Sequence, residues 1–177
     1  MERFEAFRVF GENDKVAGRV VDLTLDQLSA GTVVFKTAYS SVNYKDTLAA
    51  TGTGGRIIRS YPRIAGIDAT GTVMSSADPR FKAGDEVICT SYDFGVGHDG
   101  GYSQVCRVPA DWVVPLPRGL TLYEAGALGV AGYTAGLAVE LLELNGMAPN
   151  RGNVLVNGAT GGVATLAIDM LARLGYH

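Results

Sequence analysis

A glycine-dense turn, Asn157-Gly158-Ala159-Thr160-Gly161-Gly162-Val163-Ala164, constrains this chain more than any other feature. It follows a short apolar run, Asn153-Val154-Leu155-Val156-Asn157, of the kind that forms a strand buried on both faces of a parallel sheet. Beyond the turn, Val163, Leu166, Ala167, Met170, Leu171 and Leu174 recur at helical spacing, Asp169 and Arg173 pair on the polar side, and Gly175 ends the pattern. Strand, turn and helix in this order predict one βα unit of a parallel α/β sheet. Such a turn lets the backbone approach an anion closely, because the first helical N–H groups and the positive end of the helix dipole point at it. Ala159, Gly161 and Ala164 take the three small-residue places of the G-x-G-x-x-G/A fingerprint, with alanine in the first place and Gly158 just before it. The turn therefore predicts cofactor contacts at Ala159, Thr160, Gly161, Gly162 and Val163, against the alternative that its glycines serve packing alone.

The N-terminal part has a different texture. Glu5–Phe10, Val33–Tyr39, Thr70–Met74, Glu86–Thr90 and Tyr102–Val108 read as short strands bounded by Gly, Asp or Pro, as in a barrel-like β domain. In Val33–Tyr39 the period of two places Val33, Phe35 and Tyr39 on one side and Lys36 on the other. After Val114-Pro115-Leu116-Pro117, Thr121 and Glu124 have capping-box spacing, and Leu137, Ala138, Leu141 and Leu142 form an apolar helical stripe with Glu140 and Glu143 outside it. Asn145-Gly146 and Pro149 stop that helix. The predicted boundary lies near residues 118 to 124, giving domains 1–120 and 121–177.

Composition narrows the partners. A net charge of −3 provides no field for a phosphate backbone, so nucleic acid is not expected. Two cysteines, Cys89 and Cys106, are too few for a disulfide framework and read as small strand hydrophobes, and no charged-then-apolar leader precedes the first strand. A cytoplasmic location is expected. The uncharged stretch Ala125–Val139 holds four glycines and stops at Glu140, short of a bilayer span, and predicts a buried helix pair with no membrane role. Because a lone strand leaves both its edges unpaired, and an acidic or basic ribose reader belongs about 20 residues after the fingerprint, the chain reads as the truncated start of a doubly wound sheet. Weak cofactor binding by the chain alone is the expectation.

Several motifs in fixed order carry a resemblance. These are Ser40-Ser41-Val42-Asn43-Tyr44-Lys45-Asp46, the segment Pro62–Val73, Phe81–Val87, Gly100-Gly101-Tyr102-Ser103, Ala131-Gly132-Tyr133-Thr134-Ala135 and the glycine turn. Together they resemble the medium-chain dehydrogenase/reductase superfamily, and within it the zinc-independent quinone oxidoreductase branch that includes acryloyl-CoA reductases (YhdH/YhfP-like proteins). The resemblance implies a β-rich GroES-like domain, then a Rossmann domain, with NADPH donating hydride to an activated alkene or quinone. It also implies that the chain returns after the Rossmann domain to complete the catalytic domain, and a homodimer for the full-length protein. Zinc relatives use cysteine and histidine where this sequence has Asn43, in Asn43-Tyr44-Lys45-Asp46, and Ile67, in Gly66-Ile67-Asp68. Neither side chain supplies a thiolate or imidazole, so no metal is expected and hydrogen bonds would polarise the substrate carbonyl.

Tyr44 and Asn43 are the candidate catalytic residues. By resemblance Tyr44 lines the cleft near the nicotinamide and contacts NADPH; its hydroxyl would orient substrate or pass a proton, with contact the favoured role. Asn43 and Asp46 equally fit plain caps at a helix start. Lys45, Arg56, Arg59 and Arg63 cluster near the same loops, either as a solvated face or as an anion-capturing set in which Arg59 binds a phosphate of a coenzyme A thioester. Thr134 resembles a cofactor-side position but also fits a back-bonded helix threonine. His98, among loop glycines, is expected to be solvent-exposed. The function expected is that of an NADPH-dependent oxidoreductase acting on an enoyl thioester or a quinone; the alternatives are a noncatalytic remnant of the same fold and, further off, a zinc alcohol dehydrogenase.

Overall fold

The computed structural model describes residues 3–12, 15–53, 55 and 57–177. Arg56, one of the candidate cations, lies outside the described residues. The chain divides into two compact units, Met1–Ala127 and Leu128–His177.

The first unit is built from β1 (Phe4–Glu12), β2 (Lys15–Leu23), β3 (Val33–Tyr39), α1 (Tyr44–Thr51), β4 (Arg63–Ile64), β5 (Asp68–Ser76), β6 (Glu86–Thr90), β7 (Val105–Val108) and β8 (Val113–Pro115). Its sheets are antiparallel, with strand orders β2-β1-β4 and β7-β3-β5-β6-β8. The segment before β7 ties them together: Phe7 N–H donates to the Tyr102 carbonyl at 2.8 Å and Gln104 N–H to the Glu5 carbonyl at 3.0 Å. Val33, Phe35, Ala69, Val87, Cys89 and Cys106 fill the main core between the strands of the larger sheet and the segments packed on it. Each is an inward position of a strand, as the alternation of the sequence requires.

Tyr39 departs from its expected place. The β3–β5 register shifts between Thr37 and Tyr39, which turns the Tyr39 ring out of the core and onto Tyr123, edge to face at 5.4 Å. A bulge breaks the period of two, and a pattern read from sequence cannot see it.

Helix α2 (Leu122–Leu144) opens at the expected capping box: the Thr121 N–H donates to the Glu124 carboxylate at 2.8 Å, and the Glu124 N–H donates to the Thr121 hydroxyl at 3.2 Å. By length and composition α2 would suffice to cross a membrane. Gly129, at φ 46° and ψ −151°, breaks it, leaving helical segments on either side that are each shorter than the roughly 20 residues a bilayer needs.

In the second unit, α3 (Gly162–Arg173) carries the predicted Asp169–Arg173 ion pair at 2.8 Å. The core is small: Val139, Leu171 and Tyr176, flanked by Met147, Val154 and Val156. Two expectations change here. Leu137, Leu141 and Leu142 are exposed, while Ala135 and Val139 of that helix are buried. Residues 153–157 form no strand; Leu155 is 94% exposed, and Val154 N–H donates to the His177 carbonyl at 2.7 Å. A strand buried on both faces needs a neighbour on each edge and a layer on each side, and among the described residues of this unit none provides them.

Candidate functional site

Helix α1 starts where a hydrogen-bond knot forms. Asn43 is its N-cap, with extended backbone, and the Asp46 carboxylate accepts the Asn43 N–H at 2.9 Å. The Asn43 amide nitrogen also lies 3.2 Å from Asp46 Oδ2, 3.1 Å from Asp68 Oδ2 and 3.1 Å from Ser41 Oγ. Ser41 donates through its N–H to Asp68 Oδ1 at 3.0 Å and through its hydroxyl to the same carboxylate at 2.6 Å. Asp46 Oδ1 accepts the Ile67 N–H at 3.1 Å, and Tyr102 donates its hydroxyl to the Ser41 carbonyl at 3.2 Å. Both carboxylates are 2% exposed.

The electrostatics follow from that burial. Desolvation raises the Asp46 carboxyl above its ordinary value; hydrogen bonds from Asn43 and Tyr102 pull the other way, and the Asp68 charge adds to the rise. Desolvation and the Asp46 charge likewise raise the Tyr102 hydroxyl, so Tyr102 stays protonated at neutral pH.

Tyr44 is the first residue of α1, with 80% of its surface exposed. Arg59 is largely exposed and faces Asp93 at 3.3 Å. Arg63 differs from the expected loop cation. Its guanidinium is mostly buried, 3.6 Å from Asp99, and donates to the hydroxyls of Ser29 at 2.7 Å and Ser60 at 2.8 Å. It braces loops and is not free to capture an anion.

His98 is also not the solvated residue its glycine neighbours suggest. It is 9% exposed, with Nδ1 2.9 Å from the Asp99 carbonyl, Nε2 2.9 Å from the Ala30 carbonyl, and its ring edge-on to Trp112 at 5.1 Å. The close passage of Gly100 against the Gly66 and Ala65 carbonyls lets the loop fold inward over it. Cys89 and Cys106 are buried free thiols, as expected for strand hydrophobes.

In the second unit, the Thr134 hydroxyl donates to the Val130 carbonyl one turn back, at 2.7 Å. The glycine turn is open. Gly158 has φ +75°, the left-handed conformation that favours glycine, and a Cβ there would meet nothing within 4 Å. At Gly161 a Cβ would meet only the Gly158 carbonyl at 3.4 Å, and at Gly162 only the Ala131 side chain at 3.5 Å. No side chain caps α3. Ala159, Thr160, Gly161, Gly162 and Val163 are all exposed. The turn thus presents uncovered first-turn N–H groups, the arrangement that accepts a phosphate.

The knot of Asp46, Asp68 and Ser41 was not singled out from sequence. Its signal lay in Asp46 and Asp68 themselves, an acidic residue inside each of the two motifs that carry the resemblance.

Comparison with known proteins agrees with this geometry. Residues 29–118 match the alcohol dehydrogenase GroES-like domain family. YhfP of Bacillus subtilis (strain 168), provisionally named a quinone oxidoreductase, is 52% identical over 173 residues, covering 98% of this chain and 52% of YhfP. A crystal structure of YhfP with NAD bound aligns at TM-score 0.96 with 50% identity, over 99% of this chain and 53% of that one. The acrylyl-CoA reductase AcuI of Ruegeria pomeroyi is 50% identical over 166 residues, 94% of this chain and 50% of AcuI. The yhdH oxidoreductase of Salmonella enterica, in complex with NADP, aligns at TM-score 0.95 with 46% identity, over 98% of this chain and 53% of that one. The chain spans about half the length of the curated relatives it matches. It belongs to the alcohol dehydrogenase GroES-like domain family and, within the medium-chain dehydrogenase/reductase superfamily, to the branch of quinone oxidoreductases and acryloyl-CoA reductases.

Proposed function

We propose that this chain serves an NADPH-dependent oxidoreductase that reduces the activated double bond of an enoyl thioester such as acryloyl-CoA, with a quinone as the competing acceptor. The observation that carries the reading is the uncapped, exposed glycine turn at the start of α3, which fits a dinucleotide's pyrophosphate. When bound, NADPH supplies the hydride. The backbone N–H groups of Gly162 and Val163, with Ala159, Thr160 and Gly161 beside them, hold the phosphates. Thr134 keeps acceptor capacity on its hydroxyl oxygen and stands on the cofactor side, while Tyr44 offers an exposed ring and hydroxyl to the nicotinamide end or to the substrate. Asn43, with its amide nitrogen shared among Asp46, Asp68 and Ser41, acts from behind Tyr44. Arg59, largely exposed and paired with Asp93, receives a phosphate of the thioester.

The reading includes no metal. Asn43 and Ile67 stand where zinc relatives place cysteine and histidine, and neither coordinates zinc. It also includes a cytoplasmic homodimer with small-molecule partners only. The test is a fluorescence titration with NADPH followed by turnover on acryloyl-CoA and on a model quinone. A thioester preference supports the reductase assignment, a quinone preference moves it to the other acceptor, and a full-length protein that neither binds NADPH nor turns over is a noncatalytic member of the fold.

A further inference from the structure

Ser41 and Asn43, just before α1, are bound by two carboxylates that lie elsewhere in the chain, besides the helix bonds to the Asn43 carbonyl. Asp68, at the start of β5, takes the Ser41 N–H at 3.0 Å, the Ser41 hydroxyl at 2.6 Å and the Asn43 amide at 3.1 Å. Asp46, inside α1, takes the Asn43 N–H at 2.9 Å and the Asn43 amide at 3.2 Å, and ties both to the Ile67 N–H at 3.1 Å. Outside this knot, the Ser41 carbonyl accepts from Tyr102 at 3.2 Å. Two buried carboxyl groups close together are costly to keep, and their donors compensate that cost only if the geometry is held. The next residue along the chain is Tyr44, exposed, with no hydrogen bond from its side chain among the described residues.

We propose that Asp46 and Asp68 are positioning residues: by fixing the backbone of residues 41–43 from behind, they set the direction in which Tyr44 is presented to its ligand. No hydrogen bond or ring contact of its side chain sets the place of Tyr44 among the described residues, so its orientation is inherited from the turn that precedes it. The proposal rests on the oxidoreductase reading for the identity of the ligand and on the hydrogen bonds alone for the mechanics.

A double-mutant cycle tests it, with NADPH affinity measured by fluorescence in Asp68→Asn, Tyr44→Ala and the combined variant. Asp68→Asn is expected to weaken NADPH about fivefold, and to change it by less than about twofold once Tyr44 is alanine, since an effect that travels through Tyr44 vanishes with it. Effects that simply add overturn the proposal, because a general loss of structure would not depend on Tyr44. Should Asp68→Asn fail to fold, Ser41→Ala, which removes a single hydroxyl from the knot, enters the same cycle. A second measurement needs no ligand: hydrogen exchange at the Asn43 and Ser41 amides is expected to quicken about tenfold in the variant while Val73, in the core of β5, is unchanged. Unchanged exchange at Asn43 and Ser41 overturns the proposal. If the unaltered full-length protein does not bind NADPH, the oxidoreductase reading falls and the exchange result alone decides the mechanics.

Discussion

Asn43 and Asp68, 25 positions apart in the chain, meet at 3.1 Å, amide nitrogen to carboxylate oxygen. The contact joins the cap of α1 to the start of β5, and with Asp46 it makes a polar centre inside a β-rich unit. A polar centre of this kind is sensitive to the loss of any member, because every removed acceptor leaves buried donors unpaired.

Asp46 makes stability depend on pH in a defined sense. Its carboxyl is raised above the ordinary value near 3.8, chiefly by desolvation. Between that value and the raised one the folded state binds more protons than the unfolded state, so this contribution to stability is complete below the ordinary value and is lost as pH rises through the raised one. Urea unfolding from about pH 4 to 7 is expected to reveal this component, and Asp46→Asn to remove it. A component of opposite slope that is specific to Asp46 would refute the assignment.

Tyr44 separates stability from function. Its side chain is exposed, so Tyr44→Ala is expected to change folding stability by no more than about 0.5 kcal/mol. The same substitution should weaken NADPH several-fold. Thermal melts and NADPH titrations of the two proteins, side by side, check the pair of outcomes.

The glycine turn makes a similar separation within a few residues. Gly158, with its positive φ, is expected to lose about 1 kcal/mol on replacement by alanine. Gly161 has ordinary backbone angles and room for a methyl group, so Gly161→Ala should leave the melting temperature nearly unchanged. Nucleotide affinity should fall about tenfold or more, because the methyl group stands where a pyrophosphate must approach. A Gly161→Ala protein that binds NADPH normally would remove the phosphate from this turn.

His98→Phe should destabilise the first unit by about 1–3 kcal/mol, since whichever of the Ala30 and Asp99 carbonyls accepts the imidazole N–H would lose its donor. Denaturant midpoints of the two proteins measure it. A neutral result would mean that water replaces the ring N–H at that carbonyl.

The thiols should be silent. Burial raises Cys106 to about 12, against a smaller opposing effect of the Thr37 hydroxyl, and raises Cys89 well above its ordinary value. Ellman titration is expected to detect neither in the folded protein and both after denaturation.

What the sequence determined by itself was set by neighbours along the chain. The strand β3 at Val33–Tyr39, the strand β6 at Glu86–Thr90, the capping box of Thr121 and Glu124, and the Asp169–Arg173 pair all depend on periods of two, three or four residues, and these are written into any sequence. The glycine turn was legible for the same reason, because a positive φ at Gly158 is a local demand.

The tertiary structure decided everything that needs a partner from elsewhere. The place of Tyr39 followed from a register shift against β5, the burial of Arg63 and His98 from loops that close over them, and the solvent exposure of Leu155 from the lack of a paired strand among the described residues. The knot around Asp68 belongs to this second class, since a lone aspartate in a sequence carries no sign of the serine, the asparagine and the second carboxylate that folding brings to it. Burial and long-range hydrogen bonding are properties of the folded neighbourhood, and for this chain they are what turn Asp46 and Asp68 from ordinary acidic residues into the frame behind Tyr44.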